Sequence, residues 1–362
     1  MAKSKEAARF TVAVPQPRQV QQSGGSQFNL AAETYSYERE ALDRIGAEIV
    51  EVPAETDADF VAGAKNAEAV IARGRRISAE IIVGLDNVVV IGCGSVGTDT
   101  VDVDAATAAG IPVTNVPDVF IEEVADHTLA IMLAAQRRLY EVRQMMQDGR
   151  FGEGHPYLRN FPRLFGQSIG LISYGNVARS VARRCQAFGL HVLAHDPYVS
   201  ELEMTRDGVE PVGYQELFER CDFVSNHAPL NDETRGMIST AQFAAMKESA
   251  FFVNTGRGPC HDEAALIDAL ERGEIAGAAL DVFETEPVDL ENPLLRMDNV
   301  IVTPHIASAT SRMMPETRRR LGEELAAALL GRWPRSVVNP SVLDKSALRR
   351  WQPMPMNRGP NR

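Results

Sequence analysis

The sequence predicts an α/β protein of two doubly wound parallel-sheet domains, on three observations. Short β-branched runs alternate with amphipathic helical stretches along almost all of the 362 residues, the pattern of βαβ units and a parallel sheet. These runs fall into two series separated by a long helical segment, and at roughly 150 residues per domain the length suits two domains. The runs of the second series are apolar without alternation, as expected where helices cover both faces of a sheet.

Taken in order, residues 11–14, 48–52, 69–72 and 88–91 read as strands, with helical stretches such as 37–45 and 78–85 between them. Residues 121–146, apolar at helical spacing, read as one long helix joining the domains. Strands are then expected at 169–172, 191–194, 223–225, 251–254, 278–280 and 300–303. A helix over 314–330 can carry the chain back to the first domain. That domain is therefore expected to be discontinuous (1–118 and 308–341), with the second domain (119–307) inserted in it and a cleft between them. Residues 342–362 are basic and Pro-rich, and are expected to form a disordered tail or a packing arm.

Composition narrows the function. With 49 Asp+Glu against 37 Lys+Arg and a net charge of −12, the chain lacks the concentrated basic face that nucleic-acid binding needs. No apolar run approaches the ~20 residues that span a bilayer, so no membrane partner is expected. The opening MAKSKEAARF has no hydrophobic stretch behind its basic residues. Cys93, Cys185, Cys221 and Cys260 form no CxxC pair, so reduced thiols in a cytoplasmic protein are expected. His191 and His195 are four apart without a third ligand, and no metal site is expected.

In an open parallel sheet, ligands bind beyond the carboxyl ends of the strands. The second series releases six groups there: Ser173-Tyr174-Gly175-Asn176-Val177-Ala178, His195-Asp196-Pro197, Asn226-His227-Ala228-Pro229, Asn254-Thr255-Gly256-Arg257-Gly258, Asp281 with Glu286-Pro287, and Thr303-Pro304-His305. Such regularity points to a site. The first exit keeps the middle glycine of a GxGxxG turn, where the backbone approaches a pyrophosphate resting on a helix N-terminus. Asp196 follows Gly175 by 21 residues, where a carboxylate accepts from ribose hydroxyls and repels a 2′-phosphate; NAD is expected over NADP.

Arg257, Glu286 and His305 suit hydride exchange with a 2-keto acid. A guanidinium grips a planar carboxylate. An imidazole exchanges a proton near neutral pH. A neighbouring carboxylate orients that ring and favours its charged form. Taken singly, each residue has another reading: a helix cap, a surface carboxylate or an interior histidine.

These residues resemble the D-isomer-specific 2-hydroxyacid dehydrogenases over roughly residues 11–340. The resemblance rests on Phe251-Phe252-Val253-Asn254-Thr255-Gly256-Arg257-Gly258, on Leu280-Asp281-Val282-Phe283-Glu284-Thr285-Glu286-Pro287, and on Thr303-Pro304-His305-Ile306-Ala307-Ser308-Ala309-Thr310. The stretch from Val113 to Pro117 and on to Glu122-Glu123-Val124-Ala125-Asp126-His127 resembles a corepressor-like bacterial branch. The likeness implies a Rossmann NAD-binding domain inserted in a flavodoxin-like substrate domain. It implies Arg257 as substrate holder and His305 as acid/base with Glu286 as its partner. Tyr174, Gly175, Asn176, Val177, Asp196, Pro197, His227, Ala228, Pro229, Thr255, Gly256, Asp281 and Ala307 are expected along NAD, with Thr255, Asp281 and Ala228 at the nicotinamide end.

Cys93-Gly94-Ser95-Val96-Gly97-Thr98-Asp99 is similar to the family's substrate loop, where Ser95, Val96 and Gly97 would turn N–H groups toward a carboxylate. Arg73 and Arg75 are expected either to bind a further anionic group of the substrate or to form a solvated basic turn. The sequence departs from the family in the phosphate turn, where Ser173, Asn176 and Ala178 stand for its usual Gly, Arg and Gly. The resemblance also implies a homodimer, with its contact region after Ile121. The expected function is an NAD-dependent oxidoreductase acting on a D-2-hydroxy acid or 2-keto acid. An NAD(H)-sensing regulatory protein, or a lyase reusing the scaffold, is the alternative.

Overall fold

The computed structural model describes residues 9–16, 35–73, 75–159, 161–343 and 345–351. The chain divides into two compact units, one running to Val119 and resuming at Ser311, the other Phe120–Thr310.

The first unit holds β1 (Phe10–Pro15), β2 (Ala47–Val52), β3 (Ala69–Ala72), β4 (Val90–Cys93) and β5 (Val113–Thr114), all parallel, in the order β2-β1-β3-β4-β5. This is the flavodoxin-like order. The strand expected at 88–91 begins two residues later, because the ladder pairs Val90 with Ala69 and leaves Val89 exposed. β5 is two residues long, too short for any periodicity to announce it.

The second unit holds β6 (Ser168–Ile172), β7 (His191–His195), β8 (Glu210–Pro211), β9 (Phe223–Asn226), β10 (Phe251–Asn254), β11 (Gly277–Leu280) and β12 (Val300–Val302). Its order is β12-β11-β10-β9-β6-β7-β8, the Rossmann arrangement with one strand added at the β12 edge. Register aligns Ile172 with both His195 and Asn226, Asn226 with Asn254, Asn254 with Leu280, and Leu280 with Val302. All six exits singled out above therefore leave one edge of one sheet. Phe252 packs on one face with Leu217, Phe243 and Leu266, while Phe251 and Val253 join Met132, Leu171 and Val181 on the other. Both faces are covered, which is why these strands are apolar throughout.

One expectation needs correction. The single helix expected over 121–146 is two helices, Ile121–Gln136 and Leu139–Gln147. Arg138 breaks it at φ 50°, donating to the Ala276 carbonyl at 2.9 Å and lying over the rings of Phe161 and Phe251; tertiary partners outweigh helix propensity here. Of the two alternatives for the tail, its described part packs as an arm would. Val342 and Leu343 are buried, Trp351 Nε1 donates to the Trp333 carbonyl at 2.7 Å, and Arg350 lies 4.4 Å over the Trp333 ring. Residues 352–362 lie outside the described residues. The four cysteines are buried thiols. No helix among the described residues is long and apolar enough to cross a membrane.

Candidate active site

His305, Glu286 and Arg257 meet at the edge where β10, β11 and β12 end. His305 Nδ1 lies 2.7 Å from Glu286 Oε2, and the other carboxylate oxygen accepts from the Phe283 N–H at 3.0 Å. The hydrogen bond to Glu286 holds the His305 pKa above the usual imidazole range, against burial and the charge of Arg257. Burial pushes the Glu286 carboxyl upward, but the bonds from His305 and Phe283 and the charges of His305 and Arg257 outweigh it, and the net direction is down. Each partner thus favours the charged form of the other. Arg257, half-buried, donates to the Gly256 carbonyl at 2.9 Å.

Two buried amides that the sequence places at strand exits without a role of their own, Asn226 and Asn254, hold the Arg257 loop. Asn254 Oδ1 accepts from the Gly256 N–H and from Asn226 Nδ2, while Asn254 Nδ2 donates to the Arg257 carbonyl and to His261 Nδ1, all at 3.0–3.1 Å. The amide's bonding capacity is filled, so the loop is tied from inside. Their only sequence signal is a polar residue ending an apolar strand. Gly258 lies against the Phe283 main chain so closely that a Cβ would fall 1.7 Å from Phe283 O. That approach brings Arg257 beside the loop carrying Glu286.

Asp281 serves the His305 turn. Its buried carboxylate accepts from Thr303 Oγ1 at 2.5 Å and from the Ile306 and Ala307 N–H groups at 2.9 Å, and its own carbonyl accepts from the His305 N–H at 2.8 Å. These bonds hold His305 at φ 53°, a left-handed conformation that costs a non-glycine residue about 1–2 kcal/mol. Thr255 is buried, with Oγ1 2.7 Å from Thr128 Oγ1. His227 bonds Ser225 at 2.9 Å, and burial pushes its imidazole down to about 4, leaving it neutral near pH 7. Ala228 is buried and Pro229 exposed.

At the β6 exit, Gly175 and Asn176 are exposed and Val177 half-buried at the start of the helix Asn176–Ala187. Gly175 caps that helix without a side-chain hydrogen bond, and nothing lies within 4 Å of where its Cβ would be. The space beside this helix start is open, as an anionic ligand at its first N–H groups requires. Asp196 and Pro197 rim a cavity of about 650 Å³ shared with His195, Tyr198, Val212 and Glu216. These features fit a dinucleotide: uncapped helix N–H groups for its pyrophosphate, and a carboxylate beside a cavity for its ribose.

Tyr174 differs from expectation. Its ring is fully buried beneath Arg179 and its hydroxyl donates to Asp207, so only its main chain faces this edge, donating to Asp196 at 2.8 Å. Ser173 sits at φ 70° and donates to Asp196 at 3.2 Å.

In the first unit, the loop after β4 turns its carbonyls inward: Ser95 O accepts from the Val116 N–H, Val96 O from Asn115 Nδ2 and Gly97 O from Ser95 Oγ. Among the described residues its N–H groups donate to no protein acceptor, leaving an array suited to an anion. Arg73 Nη1 lies 3.9 Å from the buried Glu38 carboxylate, as does Arg318 Nε, and burial together with Arg318 lowers the Arg73 pKa to about 10. Arg75 is neither a solvated turn residue nor turned toward a ligand. It is buried and spent on the Ala54 carbonyl and Asp57.

Residues 129–307 match the family model described as the D-isomer specific 2-hydroxyacid dehydrogenase NAD binding domain. A glyoxylate reductase of Korarchaeum cryptofilum is 39% identical over 272 residues, covering 74% of this chain and 81% of that protein. The chain belongs to the D-isomer-specific 2-hydroxyacid dehydrogenase family. Its cofactor is NAD. A D-3-phosphoglycerate dehydrogenase of Archaeoglobus fulgidus is 38% identical over 277 residues, 76% of this chain but 52% of its own length; this dehydrogenase-family chain spans about half of that relative. Among solved structures, a D-lactate dehydrogenase of Aquifex aeolicus with NAD and lactic acid superposes with a TM-score of 0.73 at 26% identity, over 92% of this chain and 98% of that one.

Proposed function

We propose that this chain is an NAD-dependent dehydrogenase of D-2-hydroxy acids, reducing 2-keto acids in the reverse direction. The Glu286–His305 pair beside Arg257 carries the reading. Arg257 grips the substrate carboxylate. In the first unit, the main-chain N–H groups of Ser95, Val96 and Gly97 suit a carboxylate, and Arg73 a further anionic group. His305 gives its proton to the forming alkoxide in reduction and withdraws it in oxidation. Glu286 takes the Nδ1 hydrogen, so the exchange runs through Nε2, and it stabilises the imidazolium. NAD, when bound, supplies the hydride acceptor, and its reduced form the donor.

The N–H groups following Gly175, at Asn176 and Val177, hold the pyrophosphate. Asp196 with Pro197 takes the ribose hydroxyls and turns away a 2′-phosphate, which favours NAD over NADP. His227, Ala228, Pro229, Thr255, Gly256 and Ala307 line the nicotinamide end, while Asp281 braces the His305 turn. The partner of the chain is a second copy, supported by Leu139, Met146 and Phe151 exposed along a groove of about 640 Å³, an apolar surface of the kind that marks association; light scattering gives the mass.

The test is a panel of 2-keto acids, including aromatic and phosphorylated ones, with NADH and NADPH. His305→Ala should abolish turnover while NADH binding, read by its fluorescence, stays within about twofold. Turnover that survives His305→Ala refutes the assignment of the proton donor.

A further inference from the structure

We propose that His127 is a positioning residue for His305, acting through Thr303 and Asp281. This rests on the reading of His305 as acid/base. His127 lies on the helix Ile121–Gln136, 20% exposed, with Nε2 3.0 Å from Thr303 Oγ1 and 3.5 Å from Asp281 Oδ1. Thr303 Oγ1 lies 2.5 Å from the same Asp281 oxygen. An ionised carboxylate only accepts, so the Thr303 hydroxyl hydrogen goes to Asp281. The Thr303 oxygen is then an acceptor, and His127 must carry its hydrogen on Nε2. A chain of donors runs from the helix, through Thr303, to the carboxylate that receives the Ile306 and Ala307 N–H groups.

The end of this chain is the left-handed turn at His305. Such a turn persists only where its surroundings over-determine it, and Asp281 is the group that does so. His127 fixes which Asp281 oxygen faces Thr303 and which faces Ala307. Without it, Thr303 can rotate away, the carboxylate swings, and the His305 ring drifts from Glu286. The groups facing His305 are Glu286, Arg257 and Asp281, and the bond to Glu286 is the largest cause of its raised pKa. Loss of His127 should therefore slow the chemical step and lower that pKa together.

The test compares His127→Ala, His127→Gln and Thr303→Val with the parent enzyme in reduction of the best 2-keto acid. The amide of Gln can still donate where Nε2 did. His127→Ala should lower kcat about tenfold or more, since small misplacements of catalytic groups cost up to ~100-fold, with KM for the keto acid and Kd for NADH nearly unchanged. The pH above which kcat/KM falls should move down by about half a unit or more. His127→Gln should restore most of both, and Thr303→Val, which removes the relay hydroxyl, should repeat the alanine result.

Parent kcat and pH profile in His127→Ala overturn the proposal, as does a lower kcat with an unmoved profile that Gln does not restore. If His127→Ala does not fold, the same reading is taken from Thr303→Val. Activity surviving in His305→Ala would instead overturn the acid/base reading, so the two failures are distinguishable.

Discussion

An alanine at Gly258 would place its Cβ 1.7 Å from Phe283 O, 2.0 Å from Phe283 C and 2.7 Å from Glu284 N. These are main-chain atoms, so no rotamer change relieves the overlap, and ordinary contact at 3.4 Å requires one loop to retreat by well over 1 Å. Overpacking of this kind costs about 3 kcal/mol, which in a unit of about 190 residues lowers Tm by roughly 6–12 °C. The retreating loop also carries the Phe283 N–H that holds Glu286, so kcat/KM should fall by about 100-fold. Gly175→Ala is the matched control: its Cβ meets nothing within 4 Å, so Tm should stay within about 2 °C. NADH should nonetheless bind at least ~10-fold more weakly, because that Cβ enters the space a pyrophosphate needs. Differential scanning calorimetry of the cofactor-free protein, fluorescence titration with NADH, and steady-state rates read all three quantities. Parent Tm and kcat/KM in Gly258→Ala, or parent NADH affinity in Gly175→Ala, would refute the reasoning.

Glu286→Gln removes the main cause of the raised His305 pKa. The imidazolium that reduction needs exists below that pKa and is lost as pH rises through it, so the high-pH fall in kcat/KM for reduction should move to lower pH. The stability tied to the raised pKa, fully present below the unfolded value and lost as pH rises through the folded one, should shrink with it; Tm measured across this window checks the sign. At Ser173, alanine and glycine both lose the hydroxyl, but only alanine keeps the cost of φ 70°. Ser173→Gly should therefore be more stable than Ser173→Ala by about 1 kcal/mol, or roughly 2–4 °C by thermal unfolding. Asp196→Ser should narrow the preference for NADH over NADPH in paired Kd measurements, and an unchanged ratio would remove Asp196 from coenzyme choice.

Much of the candidate site was legible because it follows from local rules. Arg257, Glu286 and His305 each lie just beyond a short apolar run, and in a parallel sheet such exits share an edge. What escaped depends on partners distant in sequence. Arg73 and Arg75 are two residues apart and look alike, yet Arg75 is consumed by Ala54 and Asp57 while Arg73 stands beside Glu38. Tyr174 sits in the phosphate turn, but Arg179 and Asp207 draw its ring into the core. His127 and Thr303 are separated by 176 residues, and no periodicity links them.

From the residues alone follow the alternation of strands and helices, the two parallel sheets, and the chemistry available at the strand exits. Hydrophobic period and turn chemistry act over a few residues, so a one-dimensional chain displays them. Only the folded chain decides which oxygen of Asp281 holds which N–H, why a histidine tolerates a left-handed turn, and which of two arginines is consumed by Ala54 and Asp57. Those outcomes are competitions among hydrogen-bond partners brought together by packing, and the winner is a matter of ångströms that sequence spacing does not encode.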